Sequence, residues 1–350
     1  MILALLLART ITSVYGDVTG FLKVPAYDPS VVAYMEHHVG SVVFAPEGGH
    51  DGHFFFMLAM DPWLLSPGEH GRFLDRPAYR AQRILYPMLA GGFGTAGSTV
   101  IVWSLMAINI AALSLGTWAT SRAAMRLGGS AWSGLFFVLN PGLIYEFSID
   151  GSSILGMAFA MLGLLLASHE RWTVAATLLA MAALSRETML LVALGALAYS
   201  WRSQSRPVWR LIAVPALASL AWAGWIRLRL GDLPNRSSSS SFDEPLQGLI
   251  ESVPAWFDLG GLALWLGILS LGCAAVTVVA SVKRANWLAW GTVLFAPLLV
   301  FLSAAVLRAD FNLTRAIAPL ITSGLVLLTS PWSEHYHRSA FGPSIPSGHA

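Results

Sequence analysis

The sequence predicts an all-α protein, a polytopic bundle of about ten transmembrane helices. Charged residues make up 11% of the 350 residues, against about 25% in an ordinary globular protein. Apolar residues make up 55%, and the mean hydropathy is +0.63, so a soluble fold would lack the polar residues to cover its surface. Long apolar runs separated by short polar clusters complete the pattern. Together these features exclude a cytosolic enzyme, a nucleic-acid-binding protein and a disulfide-stapled secreted domain.

The first 79 residues are predicted to form a short apolar segment and a long extracytoplasmic loop. The segment MILALLLARTITSVYG is too short to span about 30 Å of hydrocarbon and lacks the features of a signal peptide. We interpret it as the outer part of a first span whose beginning is missing. Residues 16–79 form the loop and carry eight of the nineteen acidic residues. Within it, GHFFFMLAMDPWLL is apolar all round but short, which favours a helix lying in the membrane interface.

Apolar runs place the remaining spans within a bundle that covers residues 80–331. The predicted spans are 97–119, 131–147, 152–168, 172–185, 188–201, 208–228, 260–281, 286–307 and 313–331. The short hairpins on one side are basic, with Arg122, Arg126, Arg171, Arg202, Arg206, Arg210, Lys283 and Arg284. That side is predicted to be cytoplasmic, which requires two short helices flanking Ser185–Glu187. Residues 332–350 then form a cytoplasmic tail, and residues 1–350 form a single integral membrane domain.

The densest polar cluster is Gly48-Gly-His-Asp-Gly-His53, directly before the predicted interfacial helix. Partial desolvation by lipid and by neighbouring phenylalanines would raise the pKa of Asp51, so this carboxylate is predicted to act as a general base. Two alternatives stay open. Asp51 fits the N-cap of the following helix, and His50, Asp51 and His53 resemble ligands for a divalent cation. The sequence leaves metal dependence unknown.

Four arginines are predicted to bind a phosphate group. Arg80 and Arg83 lie one helical turn apart, and two guanidinium groups can hold a phosphate bidentately; anchoring to lipid headgroups is the alternative. Arg186 lies between two apolar runs, where a charge must be paired or line a cavity. A structural pair between Arg186 and Glu187 is the alternative there. Arg315, near the apolar part of the final span, is the fourth.

Acidic and histidine side chains are predicted to bind the acceptor or the sugar. Glu146 and Asp150 lie in a short outer turn, where they could hold an acceptor hydroxyl or a cation. Helix capping explains Asp150 equally well. His50, His53 and Glu187 complete this predicted set.

Three segments and the general layout resemble the GT-C superfamily of membrane glycosyltransferases. HDGHFFFMLAMDP is similar to the YDGQFYYRLALDP-type segment of uncharacterised bacterial members, and RPAYRAQRILYP and ALSRET resemble two further signatures of that group. Asp51 falls at the position of the catalytic aspartate, and Arg83 and Arg186 match basic motif positions. The chain differs in having His50 in place of an aromatic residue and His53 in place of Gln.

The resemblance implies a hexosyl- or pentosyltransferase. Such an enzyme moves a sugar from a polyprenyl-phosphate donor to an extracytoplasmic hydroxyl with inversion, and the acceptor would be a glycan, a lipid or a protein. The site would face outward from the bacterial plasma membrane. The resemblance implies no certain cofactor and no nucleic-acid partner.

The sequence leaves two alternatives to this function. The first is a polytopic lipid or solute transporter or flippase without transferase activity. Transporters often contain internal repeats and charges within broken spans, whereas this sequence has no convincing repeat and its acids are concentrated in the outer loops. The second comes from the final segment PSIPSGHA, which resembles the central motif of lipid-phosphate phosphatases. No basic KxxxxxxRP motif precedes it, so this reading is the weaker one.

Overall fold

Helices make up most of the described chain and strands almost none of it, which confirms the all-α prediction. The structure is a computed structural model that describes residues 16–45, 48–204, 208–234, 241–284, 286–308 and 310–331. The predicted first span and the predicted tail with its PSGH segment lie outside these residues. Among the described residues, β-structure is limited to the parallel pair Val24–Pro25 and Phe44–Ala45 and one isolated bridge.

The helices follow one another with short connections. In the first part of the chain they are α1 (Pro29–Val39), α2 (Asp51–Met60), α3 (Pro67–Phe73), α4 (Pro77–Ala81), α5 (Leu85–Ala90), α6 (Ser98–Arg126), α7 (Leu135–Val138), α8 (Pro141–Ser148), α9 (Ser153–Ser168) and α10 (Trp172–Ser185). They continue with α11 (Leu190–Gln204), α12 (Arg210–Leu230), α13 (Gln247–Asp258), α14 (Gly261–Arg284), α15 (Trp287–Thr292), α16 (Phe295–Phe301), α17 (Ala304–Leu307), α18 (Asp310–Ala316) and α19 (Ala318–Thr329). Short 3₁₀ turns span Val18–Leu22, Gly92–Gly94, Ala131–Gly134 and Glu187–Met189.

Three of the described helices are long and apolar enough to cross a membrane. They are Ser98–Arg126, Arg210–Leu230 and Gly261–Lys283. Several shorter apolar helices, such as α9 and α10, lie beside them. These helices are compatible with an integral membrane protein, and the figure of about ten spans stays a prediction.

Three of the predicted continuous spans are interrupted in the structure. Residues 131–147 form a 3₁₀ turn, α7 and α8; residues 286–307 form α15, α16 and α17; residues 313–331 form part of α18 and then α19. The break before α8 has a clear cause, since a residue that precedes proline avoids the α region. Asn140 there is extended (φ −64°, ψ 121°), and its side chain caps α8. Interrupted helices are tolerated in a membrane where they line a cavity.

Helix α2 is a core element rather than an interfacial one. Every residue from Asp51 to Ala59 is buried, and the helix packs against α5 and α6. The predicted helix is present, but its predicted position on the bilayer surface is wrong. A helix that is apolar all round is covered on all sides, and here protein supplies that cover.

The amphipathic helix with an open apolar face is instead α13. Gly248 and Trp256 are buried, whereas Ile250 and Phe257 are 69% and 64% exposed. A helix with one covered face and one open apolar face has the geometry of an interfacial helix. The segment lies between the predicted spans 208–228 and 260–281, where no helix is predicted.

The helices α9 and α10 pack closely because small residues lie between them. A Cβ atom placed on Gly156 would lie 3.3 Å from the carbonyl oxygen of Ala182, and Ala175 and Ala176 are fully buried. Small residues allow helix backbones to approach in this way. The pairing fixes the C-terminal end of α10 relative to α9.

The chain leaves helical geometry directly after α10. Arg186 has an extended backbone (φ −155°, ψ 119°), and a 3₁₀ turn then leads into α11. Two short helices therefore flank Ser185–Glu187, as predicted. The break lets Arg186 and Glu187 reach different neighbours.

Gly142 on α8 allows α8 and α18 to touch. A Cβ atom at this position would overlap the backbone of Thr314 and Arg315. The close approach brings the side chain of Arg315 to Glu146, one turn further along α8.

We expect Gly142→Ala to lower the free energy of unfolding by about 1–3 kcal/mol, because overpacking forces the two helices apart. Thermal unfolding in detergent measures this change. Gly224→Ala on α12 is the matched control, since a Cβ atom there meets nothing within 4 Å. Equal stability of the two variants would contradict the close approach.

Candidate functional site

A cavity of about 490 Å³ lies where α4, the break between α10 and α11, and the helices α16 to α18 meet. We call it the arginine cavity. Its charged lining consists of Arg76, Arg80, Arg83, Arg186 and Arg315 with Asp51, Asp75 and Glu187. Its apolar lining includes Phe242, Leu298, Leu302, Val306 and Ala316. One cavity thus combines an excess of positive charge with an apolar wall.

Asp51 is held by arginines from distant parts of the chain. Arg80 Nη1 donates to Asp51 Oδ1 at 2.5 Å, and Arg315 Nη2 donates to Asp51 Oδ2. Arg83 Nη1 lies 3.8 Å from Oδ2. These contacts place Asp51 at the centre of the charged cluster. Asp51 is also the first residue of α2 rather than its N-cap, so the N-cap alternative is wrong.

The arginines also reverse the expected acidity of Asp51. Burial, the largest single influence, raises its pKa, but Arg315, Arg80 and Arg83 together more than offset this. The pKa of Asp51 therefore lies well below its usual range, so the prediction of a raised pKa is wrong. As long as the arginines hold it, the carboxylate is a weak base.

Arg83 and Glu187 form a bidentate ion pair. Arg83 Nε donates to Glu187 Oε2 at 3.0 Å, and Nη2 donates to Oε1 at 2.9 Å. The hydroxyl of Tyr79 accepts a further bond from Nη2 at 2.8 Å. This pair connects the chain near α4 to the α10–α11 break, which lies 104 residues further along.

Glu146 binds both Arg186 and Arg315. Its carboxylate is fully buried and accepts from Arg186 Nη1 at 3.2 Å and from Arg315 Nε. The backbone N–H of Ser153 donates to its second oxygen at 3.1 Å. Arg186 thus pairs with Glu146 and not with its neighbour Glu187, so the suggested pair within that dipeptide is wrong.

Two acidic residues predicted to bind an acceptor or sugar are placed elsewhere. Glu146 does not line the arginine cavity; one of its oxygens binds Arg186 and Arg315, and the other accepts from the Ser153 N–H. Asp150 is 1% exposed, has a left-handed backbone (φ 48°) and lines neither of the cavities described. Neither residue lines a described cavity, and direct substrate binding by Glu146 and Asp150 stays a prediction. In the structure Glu146 positions arginines.

The two predicted histidines differ in their surroundings. His50 directly precedes α2, makes no side-chain cap bond there, and has its ring 6.1 Å from that of Tyr145. His53 is 2% exposed, and its Nδ1 is buried without a hydrogen-bond partner. His53 lines a second cavity of about 230 Å³, which we call the His53 cavity. Arg80 and Asp75 line both cavities.

The arrangement does not favour a metal site at these histidines. Among the residues that the structure describes, no group of three or more His, Cys, Asp or Glu side chains is placed to hold a metal ion. The arginines around Asp51 also put positive charge where the cation would bind. The divalent-cation alternative at His50, Asp51 and His53 finds no support.

Burial, with Arg80, lowers the pKa of His53 to about 4, while Asp51 and Asp75 act in the opposite direction. Its ordinary pKa is about 6.5, so the unfolded chain takes up this proton first as the pH falls. We therefore expect stability to be lost as the pH falls from about 6.5 through 4.

NMR of histidine-labelled protein measures the titration, and His53→Gln identifies the resonance. A midpoint near 6.5 would contradict the buried environment. The His53→Gln variant should also lose less stability than the natural chain across this pH range.

Sequence reasoning missed several residues of the arginine cavity. Asp75 binds Arg80 through Oδ1 at 2.8 Å and Oδ2 at 2.9 Å, and Tyr79 binds Arg83. Asp75 precedes the predicted arginine helix, so its proximity was a usable signal. No such signal exists for the apolar wall, because this wall depends on how α16 and α17 fold back on the cavity.

No protein-family model matches the chain, and neither a curated protein nor a solved structure matches it. A function for this protein must therefore be inferred from the geometry of the site and the chemistry of its residues.

Proposed function

We propose that this protein is a membrane glycosyltransferase that moves a sugar from a polyprenyl-phosphate donor to an acceptor hydroxyl. The observation that carries the proposal is the arginine cavity, where guanidinium groups and an apolar wall enclose the carboxylate of Asp51. In this proposal the protein lies in a bacterial plasma membrane and the cavity faces outward.

The lining charges favour an anionic ligand. Five arginines and three carboxylates line the cavity, which is an excess of two positive charges. Arginine binds phosphate well because its planar group offers several donors in a fixed geometry. An anionic head held by these arginines would be drawn to the region around Arg80, Arg83 and Arg315.

The apolar lining favours a lipid chain on that anion. Leu298, Leu302 and Val306 come from the interrupted helices that also bring Arg315 to the cavity. An isoprenyl chain buries apolar surface against such side chains. A free phosphate ion would leave this wall unused, whereas a polyprenyl phosphate uses both parts of the lining.

The transfer step forms two bonds and breaks two. The acceptor oxygen bonds to the anomeric carbon of the sugar, and the bond from that carbon to the phosphate oxygen breaks. The electron pair goes to the departing polyprenyl phosphate, whose charge rises and is stabilised by the arginines. The acceptor O–H bond breaks, and its proton goes to Asp51.

Donor binding would make Asp51 a better base. Arg80 and Arg315 bind Asp51 in the present structure, and a donor phosphate competes for the same guanidinium groups. Each contact that moves to the phosphate removes an influence that lowers the pKa of Asp51. The carboxylate then gains basicity in the complex that needs it.

The direct test uses purified protein in lipid nanodiscs with a panel of radiolabelled polyprenyl-phosphate sugars and hydroxyl acceptors. We expect label to pass to an acceptor, and Arg83→Gln to lower the rate by at least about tenfold. Arg308→Gln is the matched control, because Arg308 is 54% exposed in its side chain and does not line the cavity.

A transporter or flippase would give a different result. It would bind or move the donor lipid without producing a labelled acceptor, whichever acceptor is offered. Absence of transfer across a broad panel, in protein that binds prenyl phosphate, would overturn the proposal.

A further inference from the structure

We infer that the His53 cavity is the acceptor site and that it selects a neutral, hydroxyl-bearing unit the size of one sugar. The inference rests on the proposed function, because it assigns the second substrate of the same reaction. It is carried by the charge of the cavity, by its size and by the surroundings of His53.

The His53 cavity differs from the arginine cavity in its charge. Its charged lining is Asp28, Asp75, Arg72 and Arg80, so two acids balance two bases. The arginine cavity has an excess of two positive charges over the residues that line it. An anionic substrate is therefore drawn to the arginine cavity, and a neutral polar substrate meets no net repulsion or attraction in the other.

The size and lining suit a single sugar ring. The volume of about 230 Å³ lies below the range of about 300–1,000 Å³ for pockets that hold drug-sized ligands. Tyr27, Phe54 and Phe73 supply aromatic surface to its wall, and aromatic side chains offer large apolar contact areas. Only the terminal unit of a longer glycan would fit inside.

His53 has unused hydrogen-bonding capacity in this wall. Its Nδ1 is buried and without a partner, and leaving such a group unpaired is unfavourable. The other buried histidine of this region, His70, has its Nε2 bonded to Asp61 at 3.1 Å. A hydroxyl group can both donate and accept, so it satisfies either tautomer of the His53 ring.

The position of the cavity fits a transfer between two substrates. Arg80 and Asp75 line both cavities, and Arg80 Nη1 lies 2.5 Å from Asp51 Oδ1. The carboxylate that takes the proton is thus one side chain away from the acceptor cavity. Asp51 does not line the His53 cavity, so a hydroxyl held beside His53 reaches this carboxylate once Arg80 moves from Asp51 to the donor phosphate.

The test measures two probes on the same detergent-solubilised protein. Saturation-transfer NMR reports the binding of neutral methyl glycosides, and thermal shift reports the binding of geranylgeranyl phosphate. We expect His53→Leu to weaken glycoside binding by at least about tenfold and His53→Gln to weaken it by less than about threefold, since glutamine keeps a donor and an acceptor. The matched control His70→Leu should bind glycosides as the natural chain does. All three variants should bind geranylgeranyl phosphate normally.

The outcomes separate the two claims. Equal glycoside binding by His53→Leu and the natural chain would overturn the inference, as would geranylgeranyl phosphate binding with no glycoside bound from a broad panel; both results leave the proposed function intact. Glycoside binding that depends on His53, in a protein that does not bind geranylgeranyl phosphate, would support the cavity assignment and count against the proposed donor.

Discussion

Asp51→Asn is expected to slow sugar transfer by about 10²- to 10⁴-fold, the usual contribution of a general base. The same change should tighten the binding of geranylgeranyl phosphate. Removing the negative charge releases Arg80 and Arg315 from an ion pair with Asp51, so both guanidinium groups become more available to a phosphate. A variant that turns over poorly but binds its donor better is the expected signature.

Radiolabel transfer measures the first effect, and thermal shift with the prenyl phosphate measures the second. Asp61→Asn is the matched control, since Asp61 lies near the other end of α2, binds His70 and lines neither cavity. Equal transfer by Asp51→Asn and the natural chain would retain a transferase and discard Asp51 as its base. Loss of donor binding would show that Asp51 mainly holds the cavity together.

Glu146→Gln is expected to lower the free energy of unfolding by about 3–5 kcal/mol. Glu146 is fully buried and pairs with both Arg186 and Arg315. Removing one charge of a buried ion pair leaves its partner uncompensated, which is far more costly than losing a surface pair. Donor binding should weaken as well, because both arginines lose the group that positions them.

The chain offers a matched control for this second prediction. Glu251 also pairs with an arginine at 3.2 Å, but the side chains of Glu251 and Arg308 are 41% and 54% exposed. Glu251→Gln should therefore cost less than about 1 kcal/mol. Chemical unfolding of both variants in the same detergent makes the comparison, and similar losses would contradict the buried role of Glu146.

The sequence was most informative where the structure depends on local features. The helical class followed from composition, and the break at Ser185 followed from placing the basic hairpins on one side of the membrane. Asp51, Arg83 and Arg186 were identified by residue type and setting, and they line one cavity in the structure. Each of these inferences needed residue types and their order along the chain, and none needed a contact between distant residues.

The properties that were predicted wrongly depend on distant contacts. The low pKa of Asp51 arises largely from Arg315, which is 264 residues away. The burial of α2 depends on α5 and α6, and the closed surroundings of Glu146 depend on Arg186 and Arg315. No short segment contains that information, so periodicity and composition could not supply it.

The guanidinium group of Arg80 lies in the wall of both cavities, and this has a thermodynamic consequence. If an occupant of one cavity moves Arg80, it changes the shape and charge of the other. Linkage then requires reciprocity: whatever factor the first substrate applies to the affinity of the second, the second applies to the first. The two substrates would therefore bind cooperatively or antagonistically rather than independently, with Arg80 coupling them.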